Sequence, residues 1–187
     1  MPRYISWLHG DLNGANIIID ESQNVWLIDF FHTHRGHALK DLIKLENDIL
    51  YIFTKIDSAA DLQLACSATD WLFEIHDLAV SRGEPPAHLA SDKRFAKSLA
   101  IISYLRSFYR DIIDLDRDPY QFFVAAARYA MHTLSFDECN LWQRKWALYA
   151  GAAALARSSS FNACICSPLP KPWQTAATAS SNSTRYR

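Results

Sequence analysis

The chain has 187 residues, half of them apolar, with 19 Lys plus Arg against 20 Asp plus Glu. That near-balance gives no broad field for nucleic acid or a membrane surface. High apolar content with only five glycines excludes a disordered or collagen-like chain, and the length suits one well-cored domain.

Four cysteines, Cys66, Cys139, Cys164 and Cys166, are too few and too irregularly spaced for a disulfide scaffold. They read as reduced thiols, so the expected location is cytoplasmic. No apolar run reaches membrane-spanning length, and the opening Met-Pro-Arg-Tyr-Ile-Ser lacks an apolar core, so no signal peptide is expected.

In chain order, Tyr4–Leu8 reads as a short strand feeding a polar loop, His9–Asn16, with the turn signal Asn13-Gly14 inside it. Ile17–Ile19 and Val25–Ile28 are β-rich runs separated by five polar residues, a hairpin pattern. Such a hairpin brings Asn16, at its entry, and Asp29, at its exit, to the same end. His32 to His37 reads as a loop. A helical stripe then runs through Leu42, Leu45, Ile49, Ile52, Phe53 and Ile56, and a second helix spans Ala59 to about Arg82 before Pro85-Pro86. A third helix is expected from Lys93 to Ile113. Asp118-Pro119 reads as an N-cap and first-turn proline opening a fourth, and Ser135 with Glu138 resembles a capping box for a fifth that ends near Ala156. The periodicity ends there, so the chain divides into a domain over 1–157 and a Ser/Thr/Pro-rich tail over 158–187, expected to be disordered.

Phosphoryl transfer from a nucleotide asks a protein for one carboxylate at the attacking hydroxyl and for oxygen ligands on Mg²⁺. Asp11, Asn16 and Asp29 can supply that set. His9-Gly-Asp-Leu-Asn-Gly-Ala-Asn16 resembles the catalytic loop of the protein-kinase-like superfamily, and its His-Gly-Asp form is closest to the aminoglycoside and small-molecule phosphotransferase branch. Leu27-Ile-Asp-Phe30 resembles that superfamily's magnesium-binding Asp-Phe motif. More narrowly, Asp29 to Asp48, Asp118–Gln121 and Arg128–Glu138 are similar to the "ternary complex associated" phosphotransferase-like domain, over roughly residues 4–156. The resemblance implies Asp11 as catalytic base, Asn16 and Asp29 as Mg²⁺ ligands, ATP as phosphoryl donor, His9 as a brace of the loop and Asp41 as its structural anchor. It also implies the fold: mainly α with a small β-hairpin, a protein-kinase-like C-terminal lobe. Protein partners from a signalling or conflict-system assembly are expected on the same ground.

The chain departs from the superfamily pattern. It has no Gly-x-Gly-x-x-Gly, and too few residues precede Tyr4 for an N-terminal lobe, so the isolated chain is expected to be an inactive fragment of a longer kinase-like protein. Phe31 stands where protein kinases carry glycine, which leaves the metal role of Asp29 intact. Asn13 stands where Ser/Thr kinases carry lysine, which argues against a protein substrate. Two functions stay open: a phosphotransferase centred on Asp11, Asn16 and Asp29, or a non-catalytic interaction module whose uncovered apolar hairpin promotes association.

Other clusters carry less. His32, His34 and His37 lack the further ligands of a zinc site and read as a polar loop. Cys164 and Cys166 read as ordinary thiols, Trp142 and Trp146 as core, and Lys93, Arg94 and Lys97 as a solvated basic face. Tyr104, Arg106, Tyr109 and Arg110 are read either as lining a substrate cleft or as helix-surface packing.

Overall fold

The computed structural model describes residues 4–165. Strand β1 (Ile5–Leu8) leads into the polar loop, and a 3-10 turn (Gly14–Asn16) delivers the chain to the hairpin of β2 (Ile17–Ile19) and β3 (Val25–Leu27). The hairpin forms as its β-branched runs predict, with Ile17 opposite Leu27 and Ile19 opposite Val25. Asp20 fixes the connection: its carboxylate accepts the Ser22 and Asn24 backbone amides, the Asn24 amide group and the Trp26 indole N–H.

The segment expected as a histidine loop contains strand β4 (His34–His37) instead. It pairs antiparallel with β1, Ile5 opposite His37 and Leu8 opposite His34. His-Arg-Gly-His has no apolar alternation, so only its partner strand makes it a strand. At Gly36 a Cβ would press on the Leu8 side chain, which explains the small residue there.

The helical part comprises α1 (Lys40–Asp48), α2 (Ala59–Leu72), α3 (Ala87–Ala90), α4 (Lys93–Ser107), α5 (Tyr109–Ile112), α6 (Tyr120–Thr133) and α7 (Leu141–Ile165). With 57% helix against 9% strand the fold is mainly α, and none of the described helices is long and apolar enough to cross a membrane. Helix α1 runs on through a π-helical turn, Ile49–Phe53, closed by the Thr54 hydroxyl on the Ile49 carbonyl at 2.7 Å. The hairpin of α6 and α7 forms the centre, with α1 against α6 and α2 against α7. Gly151 allows the close approach of α6 and α7, since a Cβ there would meet Met131. Trp146 is fully buried, its indole N–H on Thr69 at 2.8 Å and its ring edge-on to Tyr51; Trp142 packs at the margin of the same core.

Several boundaries differ from the periodicity. Helix α2 stops at Leu72, not near Arg82: the Arg82 guanidinium folds back onto Glu74, and Leu78 pairs with the backbone of Arg117. The long third helix breaks at Phe108. Asp118 does accept the Tyr120 amide at 2.9 Å, ahead of α6. The capping box of α7 is Asn140 with Gln143, not Ser135 with Glu138; Asn140 accepts the Trp142 and Gln143 amides while Gln143 accepts that of Asn140. Helix α7 reaches Ile165, past the helix end expected near Ala156. Residues 166–187 of the expected tail, Cys166 among them, lie outside the described residues.

The buried face of α1 also differs from the stripe. Ile43 and Leu50 are inward together with Lys44, Glu46, Asn47 and Asp48, while Phe53 is exposed. These polar groups are buried because they are paired. Glu46 takes the Arg106 guanidinium at 3.0 and 2.9 Å and the Tyr109 hydroxyl at 2.5 Å, Asn47 donates to Thr133 at 2.8 Å, and Lys44 bridges Asp48 at 3.0 Å.

Candidate functional site

The polar loop is held by its own side chains and by the start of α1. Asp41 accepts the backbone amides of His9 at 2.7 Å and Gly10 at 3.1 Å, one on each carboxylate oxygen. Gly10 has φ 88°, a left-handed conformation, and a Cβ there would run into the His32 carbonyl. Asn13 turns back on the chain, accepting the Ala15 and Asn16 amides and so capping the 3-10 turn, while its own amide group donates to the Asp11 carboxylate at 3.1 Å. The Asn16 side chain donates to the Asp11 carbonyl at 2.9 Å.

The hairpin joins the same corner. Ile28 N–H donates to the Asn16 carbonyl at 3.1 Å, and the buried His9 ring donates through Nε2 to the Ile28 carbonyl at 2.8 Å. Nδ1 of His9 is buried and without a partner among the described residues. The next residue, Asp29, has φ 61° and ψ 63°, a conformation few non-glycine residues adopt. Hydrogen bonds thus join His9 to Asp41 and to Ile28, and Asn16 to Asp11 and to Ile28, with Asp29 following Ile28 in the chain.

Asn16 has its amide nitrogen committed to the Asp11 carbonyl, so its Oδ1 remains open, and the Asp29 carboxylate accepts from no group among the described residues. Oxygen donors of this kind are what Mg²⁺ takes.

Asp11 opens onto a groove of about 970 Å³ between α1, the π-helical turn and α6, whereas Asn16 and Asp29 stand outside its lining. The groove's walls carry Lys40, Lys44 and Asp48 from α1, Phe53 from the turn, and Arg128 and His132 from α6. Burial pushes the Asp48 carboxyl up, with the Lys44 ammonium pulling the other way. Burial lowers Lys40, and repulsion from Arg128 lowers it further. The Tyr129 phenol is pushed up to about 12 by burial, with Arg128 opposing and the carboxylates of Asp41, Asp11 and Asp48 adding.

The remaining sequence candidates go elsewhere. His34 bonds the His32 carbonyl and Lys40, and His37 bonds Gln121 at 2.6 Å; among the described residues no three His, Cys, Asp or Glu side chains gather to hold a metal. Arg106 and Tyr109 join Glu46 and border a separate hollow of about 470 Å³, away from Asp11. Arg94 is tied to Asp61 and Asp92 at 2.7 and 2.8 Å rather than free in the basic face. The groove cations were not singled out by motif. Their signal lies in spacing: Lys40, Lys44 and Asp48 recur every four residues, as do Arg128 and His132.

Fold and corner together define a helical domain that presents a polar loop and a small hairpin at one end. The chain belongs to the ternary complex associated domain 9 family, whose model matches residues 2–135. No curated protein and no solved structure matches it.

Proposed function

We propose that the His9–Asp29 corner is the metal-and-acceptor half of a kinase-like phosphotransferase centre, acting with ATP and Mg²⁺ in the cytoplasm. Asn16 and Asp29 would hold Mg²⁺, which when bound neutralises charge on nucleotide phosphates. Asp11 accepts the proton of a hydroxyl lying in the groove. Asp41 and His9 keep the loop in place, the first through two amides and the second through the Ile28 carbonyl. The observation that carries this reading is the bond from Asn16 to the Asp11 carbonyl, which ties the metal side of the corner to the carboxylate that lines the groove. Calorimetry of the chain with Mg·ATP, repeated on Asp29→Ala, tests it. Binding should be lost in the variant, and binding that survives overturns the metal assignment.

A second reading is an interaction module, favoured by the apolar side chains around the same corner. Trp7 is 71% exposed and Phe31 87%, and Ile19, Val25 and Trp26 on the hairpin are more than half exposed. Surface of this kind marks contact with other proteins, and the family's description refers to a complex. Light scattering tests it: self-association, reduced in a Trp7→Ser/Phe31→Ser variant, is expected, and a monodisperse monomer at high concentration counts against it.

A further inference from the structure

The groove beside Asp11 holds two cations, Lys40 and Arg128, that have no carboxylate within 4.0 Å among the described residues. Lys40 Nζ lies 3.0 Å from His34 Nε2, and His34 Nδ1 faces the His32 carbonyl at 2.7 Å. The group that faces Lys40 is therefore an imidazole and not a carboxylate. Arg128, on the facing wall, has no carboxylate within 4.0 Å among the described residues. Of the nearby acids, Asp48 pairs with Lys44 and Asp41 with the amides of His9 and Gly10, though Asp41 still acts on Lys40 through space; Asp11 and Glu138 also line the groove. Lys40 is also the first residue of a nine-residue helix, so the positive end of the α1 dipole lies at the same place. Burial and the nearness of Arg128 disfavour its charge, with Asp41 opposing them, and an anion bound between Lys40 and Arg128 would add to the Asp41 effect.

We propose that Lys40 and Arg128 form a binding site for a phosphate-class oxyanion at the Asp11 end of the groove. The proposal deepens the reading of that groove as an acceptor site and rests on it for the origin of the ligand, which is either the terminal phosphates of the nucleotide or a phosphate carried by the acceptor itself. The groove lining also includes the apolar side chains of Ile52, Phe53, Met131 and Phe136, against which the body of an acceptor carrying its own phosphate would pack.

The test is metal-free titration of the full chain with pyrophosphate at low salt. The wild type should bind, and Lys40→Met and Arg128→Gln should each weaken binding by about tenfold, the loss of one charge-assisted contact. Arg128→Lys should retain most of it, and Asp29→Ala should leave it unchanged. No binding by the wild type, or binding indifferent to both charge-removing variants, overturns the proposal. Thermal melts of each variant guard against unfolding, and Arg128 is exposed, so its replacement leaves the core untouched. Because no metal is present, the outcome is independent of the Mg·ATP titration. Displacement of pyrophosphate by Mg·ATP assigns the site to the nucleotide, and simultaneous binding assigns it to the acceptor.

Discussion

Asp41 accepts the backbone amide of His9 at 2.7 Å across 32 residues of sequence, and its other oxygen takes the next amide, that of Gly10. One carboxylate therefore locks the loop onto the first turn of α1. Asp41→Ala should cost about 2 kcal/mol of unfolding free energy by leaving two part-buried donors without acceptors. Asp41→Asn keeps one acceptor and should cost less. Urea denaturation of the two variants checks the order.

Arg106, Glu46 and Tyr109 form the one charged network in the main core among the described residues that also includes a buried phenol. Arg106→Ala strands a buried carboxylate and should destabilise by about 3–5 kcal/mol. Replacing both ions, Arg106→Met with Glu46→Leu, should cost clearly less than the sum of the single changes. A double-mutant cycle from denaturation curves measures the difference.

The hairpin should be acid-labile. The Trp26 indole and Asn24 hold the Asp20 carboxyl down to about 2, below its ordinary value of 3.8. A lowered carboxyl pKa means that its contribution is complete above pH 4 and disappears as the pH falls through about 2. The Trp26 indole N–H resonance should shift with a midpoint near pH 2, and the shift should vanish in Asp20→Asn.

Gly10 and Gly14, in the same loop, should answer differently to alanine. At Gly10 the positive φ and the His32 carbonyl both resist a Cβ, so Gly10→Ala should cost at least about 2 kcal/mol. At Gly14 the obstacle is the ring of Phe53, which is 57% exposed and free to turn away. Gly14→Ala should stay within about 1 kcal/mol. Melting temperatures of the two variants decide it.

The hairpin and the turn from Asp11 to Asn16 were legible because they are local. β-branched runs and a polar turn specify the hairpin, and the loop's Asn13 and Asn16 bond within a few residues of themselves. Strand β4 was not, since its only reason to extend is a partner almost thirty residues earlier. The buried face of α1 was misread for a related reason. Glu46 and Asn47 look like solvent-facing residues until Arg106 and Thr133, from distant helices, arrive to pair with them. The end of α2 was overrun because Ile75 and Leu78 keep helical spacing after the backbone has already turned to bond elsewhere.

The wide turn at Ile49–Phe53 works as a phase shifter. Each α-helical residue advances about 100°, so one extra residue in a turn rotates everything after it relative to everything before. Upstream, α1 is keyed to the core through Ile43 and Glu46; at the last residue of the turn, Phe53 stands against Gly14 of the loop. Deleting one residue from this turn would restore ordinary helical phase. It would carry the aromatic ring away from the loop while leaving the first two turns of the helix seated where they are.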